Sequence, residues 1–162
     1  MRTSSRSVAA LLLTALTGLL FLVTAPAALA ATSYNWYSSS DPLNVYDSTL
    51  RGSAFGTSYK KDGYLKNHTY YRDRRSNGNG VYTQTEYSYY LVCSPLTSAS
   101  WCGKGPSDQS SRTQSTSWQD QYDADDYSMQ TADKGRVHSK VCEDQSWSPD
   151  PCSRKPYFTF AL

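Results

Sequence analysis

The sequence has no isoleucine, two methionines and two histidines among its 162 residues. Beyond residue 30 no stretch repeats apolar residues at i, i+3 and i+4 over three turns. That missing period argues against a helical domain, and the shortage of branched aliphatics argues against an aliphatic core. No G-x-S-x-G elbow, Walker loop, H-E-x-x-H or C-x-x-C pair occurs, so the familiar hydrolase, nucleotide and zinc signatures are missing. A dominant sign of charge is missing too. Lys and Arg number 16 against 14 Asp and Glu, and Arg2 and Arg6 alone supply the net charge of +2. Such a balance does not indicate a bulk nucleic-acid or membrane-surface binder.

The first residues have their own logic. Arg2 and Arg6 precede an apolar run of 16 residues, 8–23, and Ala28-Leu29-Ala30 is a small-x-small cleavage site. The pattern predicts a secretory signal peptide over residues 1–30 and a secreted, extracellular protein. The run is too short for a comfortable membrane span, and no cysteine follows it, so no membrane anchor is expected. Residues 31–42, rich in Ser and Tyr, read as a flexible N-terminal arm. Residues 43–162 read as one β domain.

What remains is aromatic. Beyond residue 30 there are 14 Tyr, 4 Trp and 3 Phe against 5 Val, 6 Leu and 1 Met. Rings that each bury about 150–250 Å² must then build the core, and buried Tyr and Trp need partners for OH and NH. The expectation is a core with a wet margin. Ser and Thr number 33 beyond residue 30, a β-leaning composition with polar strand faces.

The clearest strand is 81–93, with Val81, Thr83, Thr85, Tyr87, Tyr89 and Leu91 on one face and Tyr82, Gln84, Glu86, Ser88 and Tyr90 on the other. Asn77-Gly78-Asn79-Gly80 before it is a turn signal, which predicts a hairpin with an extended segment at 64–72. Residues 136–142 alternate, with Val137 and Val141 inward, and 157–162 end the chain on Phe158, Phe160 and Leu162. Shorter candidates are 43–46, 51–59, 115–119 and 127–131, and 103–117 reads as a surface loop. The fold class expected is all-β: a single-domain antiparallel sandwich or open barrel of about seven to eight short strands.

Four cysteines, Cys93, Cys102, Cys142 and Cys152, lie beyond the signal. In an exported chain an even count reads as disulfides, and four allow three pairings. Each of the segments 93–102 and 142–152 is short, follows a valine and carries Ser, Pro and Trp. That spacing favours two local disulfides, Cys93–Cys102 and Cys142–Cys152. It does not suit zinc. The run from Val137 to Cys152 (VHSKVCEDQSWSPDPC) and the Asn-Gly turn before a Tyr-rich strand resemble small exported actinomycete proteins of uncharacterised function, over most of residues 60–162. The resemblance implies export and the local pairing, and no activity.

Charge is unevenly placed. Residues 51–75 hold seven basic and two acidic side chains, and 105–133 hold one basic and six acidic ones. The two segments are expected to pack together, since unpaired like charge costs compactness. Glu86, His138 and Arg72, Arg74 or Arg136 are conceivable as base, acid and phosphate clamps of a nuclease, but read first as solvated strand positions. Asp120, Asp123, Asp125 and Asp126 read as an acidic turn, without the Gly and closing Glu of an EF-hand. Asn67-His68-Thr69 is a formal glycosylation sequon, discounted because the leader is of bacterial type.

No catalytic residue, metal or cofactor is assigned. The candidate binding residues are Tyr70, Tyr82, Tyr90, Trp101 and Trp147, rings that would meet a partner on an exposed face. The function expected is a secreted, non-enzymatic β domain that binds an extracellular protein, a polysaccharide or a cell-envelope component, and no nucleic acid. The alternative is a small exported hydrolase or nuclease.

Overall fold

The computed structural model describes residues 32–162 except 97, 104–106 and 129–130; residues 1–30, read above as a signal peptide, lie outside the described residues. Two antiparallel sheets face each other, and neither closes into a barrel. Sheet I contains β1 (Ser33–Trp36), β2 (Leu43–Asp47), β3 (Thr49–Lys61), β4 (Tyr64–Asp73) and β8 (Gln119–Asp126). Both β1 and β2 pair with β3, and the order continues β3-β4-β8. Sheet II contains β5 (Val81–Leu91), β6 (Ser100–Gly103), β7 (Asp108–Gln109), β9 (Lys134–Glu143) and β10 (Tyr157–Ala161). Its order is β10-β9-β5-β6, with β7 also on β5. No helix occurs among the described residues.

The all-β reading and both disulfides hold, Cys93–Cys102 and Cys142–Cys152. Several finer expectations change. Residues 33–36 are not a free arm: they pair with 56–59 of β3, and Trp36 is buried. Gly56 faces that indole, where a Cβ would lie 2.7 Å from a ring carbon. The hairpin predicted between 64–72 and the strand after Gly80 does not form. Residues 74–80 instead carry the chain from one sheet to the other, so the inner faces of β4 and β5 oppose each other. The hairpin partner of β4 is β3, through Asp62-Gly63, both at positive φ (55° and 81°). Asp-Gly accepts that geometry cheaply. The acidic run is a strand, β8, not a turn; 115–118 are not in a strand, nor are 127, 128 and 131, while 129–130 of that candidate lie outside the described residues. An acidic edge strand resists pairing with other chains, which is why its composition hid it. The loop expected over 103–117 partly pairs: β7 joins β5, and Thr113 bridges Val81.

The interior is also ordered differently from expectation. One apolar cluster holds Trp36, Leu43, Val45, Ala54, Tyr71, Val81 and Val141; another holds Leu65, Tyr87, Tyr89, Val137 and Phe160. Between them the inward positions are polar: Ser58 on β3, Asn67 and Thr69 on β4, Thr83 and Thr85 on β5, and Ser139 on β9, all buried. The wet element is thus a belt through the centre, not a margin. Asn67 is its hub. Its Oδ1 accepts from Trp36 Nε1 (3.1 Å) and Ser58 Oγ (3.0 Å), and its Nδ2 donates to Thr69 Oγ1 (2.8 Å) and Thr85 Oγ1 (3.0 Å). With its hydrogen-bonding capacity used, Asn67 is tolerated at full burial. The same burial removes the sequon asparagine from any glycosylating enzyme acting on the folded chain.

The charged segments do pack together. β4 lies beside β8 over eight register pairs, from Tyr64↔Asp126 to Tyr71↔Gln119. Direct ion pairing contributes little there: His68 Nε2 lies 3.4 Å from Asp120. Asp123 turns inward and accepts from Thr85 Oγ1 (2.6 Å) and Gln121 Nε2 (2.8 Å), and Asp125 accepts from the Tyr89 hydroxyl. These carboxylates are divided between two faces of one strand.

Candidate functional site

Strand alternation places every second residue of β3, β4 and β8 on the outer face of sheet I. There the sequence supplies Phe55, Thr57 and Tyr59, then Lys66, His68, Tyr70 and Arg72, then Asp120 and Tyr122. Register sets Phe55 opposite Tyr70 and His68 opposite Tyr122. Trp118, just before β8, closes one end. The rings form a continuous chain of contacts: Trp118 edge-on to Phe55 at 4.8 Å, Phe55 stacked on Tyr70 at 4.9 Å, Tyr70 tilted to His68 at 4.4 Å, and His68 stacked on Tyr122 at 3.8 Å. Arg72 caps the Trp118 ring at 4.1 Å. Tyr122 is 62% exposed, so the chain opens to solvent at that end.

Beside Phe55 and Tyr70 lies a depression of about 270 Å³ lined by these two rings and Tyr37 together with Asn35, Ser38, Ser39 and Thr57. Tyr37 sits at φ 59°, an uncommon conformation for a residue with a Cβ. Its ring walls both this depression and a larger one of about 480 Å³ that reaches Asp41, Tyr46 and Arg154. Ring faces flanked by small hydroxyl and amide side chains suit a ligand with apolar faces and many hydroxyl groups.

The outer face of sheet II is built otherwise. Arg136 lies 3.6 Å above the Trp101 ring and 4.4 Å from that of Tyr157, and Lys134 lies 5.8 Å from Tyr90. Glu86 and His138 are register partners. Lys155 binds the Glu86 carboxylate at 2.6 Å, and Ser88 Oγ lies 3.1 Å from His138 Nε2. Burial favours protonation of Glu86, but the Lys155 hydrogen bond and charge outweigh it and hold the carboxyl below its ordinary range. Burial and then the Lys155 charge push His138 down, against the pull of Glu86. The sheet therefore brings Glu86, His138 and Arg136 onto one face and leaves Arg72 and Arg74 outside it. A histidine held neutral is a poor proton donor, and a carboxylate tied to Lys155 is a poor base.

The five ring positions singled out in the sequence do not share a surface. Tyr70 belongs to the ring chain of sheet I. Tyr90 and Trp101 touch at 5.5 Å on sheet II. Tyr82 is 5% exposed, covered by Arg112 at 4.3 Å and donating to Asp150. Trp147 projects fully exposed from the Cys142–Cys152 loop, at the rim of a depression of about 390 Å³ with Asp47, Arg51, Asn79 and Gln145. Sequence reasoning missed Phe55, His68, Trp118 and Tyr122. The signal available for two of them, Phe55 and His68, was the alternation Phe55-x-Thr57-x-Tyr59 and His68-x-Tyr70 on paired strands. Among the described residues no group of three His, Cys, Asp or Glu side chains is arranged to hold a metal ion. Comparison with known proteins found no matching family model, no matching curated protein and no matching solved structure.

Proposed function

We propose that this protein is an exported, non-enzymatic polysaccharide-binding domain, and that the outer face of sheet I is its binding surface. The observation that carries the reading is the unbroken chain of five rings from Trp118 to Tyr122, across three strands, on a face turned to solvent. Buried rings would be expected in a core; rings laid in a row on an outer face offer stacking area to a sugar chain. The polar lining of Asn35, Ser38, Ser39 and Thr57 beside Tyr37, Phe55 and Tyr70 supplies hydrogen bonds for hydroxyl groups. Export is supported by the pattern of residues 1–30 and by two disulfides, which persist in oxidising compartments.

The test is affinity electrophoresis of residues 31–162 in gels carrying neutral glucans, xylan or soluble chitin derivatives. Retardation by at least one glycan is expected, with Trp118 fluorescence changing on binding. Trp118→Ala and Tyr122→Ala should each weaken that binding about tenfold, as stacked rings elsewhere are worth about 1–3 kcal/mol. Failure to bind any neutral glycan, or binding untouched by both substitutions, would overturn the assignment.

A further inference from the structure

Arg136 has an arrangement that structural roles do not use up. Its guanidinium is clamped between the rings of Trp101 and Tyr157, at 3.6 and 4.4 Å, and its Nε donates to Thr159 Oγ1 at 3.1 Å. Among the described residues no carboxylate lies within ion-pairing distance of it. The clamp fixes a long, flexible side chain and leaves the two terminal nitrogens at the edge of the guanidinium plane without a partner among the described residues. That is a preorganised fork for an oxyanion. The surroundings are of one sign. Lys134, Arg136 and Lys140 project outward from β9, about 7 and 14 Å apart, and Lys155 lies beside them. Against them the face sets Glu86, which Lys155 already holds.

We infer that the outer face of sheet II is a second binding site, for a carboxylated polysaccharide, with Arg136 receiving a uronate carboxylate edge-on and Lys134 and Lys140 meeting neighbouring charges of the same chain. Three cations in line along one strand read a repeating charge, not a single small anion. The ring faces nearest the cations are filled by the guanidinium, so nucleobases cannot stack there as they do in single-strand binders; a carboxylate needs only the guanidinium edge. This site is independent of the ring face on sheet I, and its experiment separates the two.

Binding of residues 31–162 to polygalacturonate, to its methyl ester and to single-stranded poly(U) is to be measured by calorimetry at low and at physiological salt. The acid form should bind and the ester should not, with affinity falling as salt rises. Arg136→Gln should weaken binding about tenfold or more, the scale of hydrogen bonds to charged groups, and Arg136→Lys should not restore it because the fork is lost. If Arg136→Gln proves unfolded by circular dichroism, Lys134→Gln with Lys140→Gln supplies the same test from side chains outside the ring clamp, expected to weaken binding and flatten its salt dependence. Phe55→Ala and Tyr122→Ala should leave polygalacturonate binding unchanged. Equal binding of acid and ester, no binding of the acid, full affinity in the folded variants, or tighter binding of poly(U) would each overturn the assignment.

Discussion

Both disulfides belong to sheet II, and sheet I has none. Cys93–Cys102 ties the end of β5 to β6, and Cys142 on β9 is tied to Cys152 shortly before β10. In sheet I, β2, β3 and β4 pair in sequence order through tight turns at Ser48 and Asp62-Gly63, and only β1 and β8 join across longer separations. In sheet II the central pair β5 and β9 is separated by β6, β7 and β8, and β9 and β10 by a long connection. Each covalent link thus closes a local connection of sheet II, β5 to β6 and β9 to the segment before β10, while the central β5–β9 pair is held by its ladder and by packing. Sheet I relies instead on Asn67 and the belt around it, and on rings stacked along its outer face. The outer faces differ in the same sense: rings meet rings on sheet I, and rings meet cations on sheet II.

The largest expected effect breaks the device of sheet I. Asn67→Ala leaves Trp36 Nε1 and the hydroxyls of Ser58 and Thr69 short of a partner inside the buried belt, while Thr85 keeps its bond to Asp123. At about 1–3 kcal/mol per orphaned group, with partial relief by relaxation, the cost should reach about 4 kcal/mol. Against a domain stability of about 5–15 kcal/mol, that shifts the urea midpoint severely. A loss below about 1 kcal/mol would mean that the belt is incidental to sheet I.

Next in size is removal of the staples of sheet II. Loops of nine and ten residues give about 3 kcal/mol each in the chain-entropy account. The two should nevertheless differ. Cys142 is fully buried on the strand shared with the core, whereas Cys93 is exposed beyond the end of β5. Replacing Cys142 and Cys152 by Ser places a hydroxyl at a buried site and should cost about 1 kcal/mol more than replacing Cys93 and Cys102. Paired urea titrations of the two double variants measure the difference; equal costs would show that loop closure alone sets the contribution.

This division was only partly visible in the sequence. Alternation on 81–91 gave both faces of β5 correctly, because period 2 with Val, Thr and Tyr has one reading. The local disulfides followed from spacing. The pairing of β4 was misassigned because Asn-Gly at 77–80 outweighed Asp62-Gly63, although two turn residues between matched strands make the tighter hairpin. Strand β8 was hidden because Asp120, Asp123, Asp125 and Asp126 look like a solvated turn; tertiary partners on Thr85 and Tyr89 override that composition. The ring chain was legible only once register was known, since Phe55, Tyr70 and Tyr122 come from three strands and touch through pairing, not proximity in sequence.

The smallest expected effect concerns acid, and it too separates the sheets. On sheet II, His138 faces Glu86 and Ser88 on β5 and Tyr157 on β10, with Lys155 close by and Arg136 and Lys140 on its own strand. Burial, the Lys155 charge and then Arg136 push its pKa below the ordinary 6.5, while Glu86 opposes them. The unfolded chain therefore binds a proton at this imidazole at a higher pH than the folded chain does. Linkage then requires stability to fall as pH is lowered from about 6.5 toward the depressed folded value. Glu86 shows a second window of the same direction, because its folded pKa is lowered by Lys155: its contribution is intact above the ordinary carboxylate range and is lost as pH falls through the folded value. Two successive losses on acidification are thus expected, the histidine step first. His138→Gln should remove the first and leave the second, and Lys155→Gln should weaken both, raising His138 and Glu86 together. Urea midpoints taken between about pH 7 and about pH 3 distinguish the steps. A midpoint of the His138→Gln variant that follows the wild type through the upper window would show that this imidazole is not the group that carries the first loss, and that the cationic face of sheet II is not coupled to folding through it.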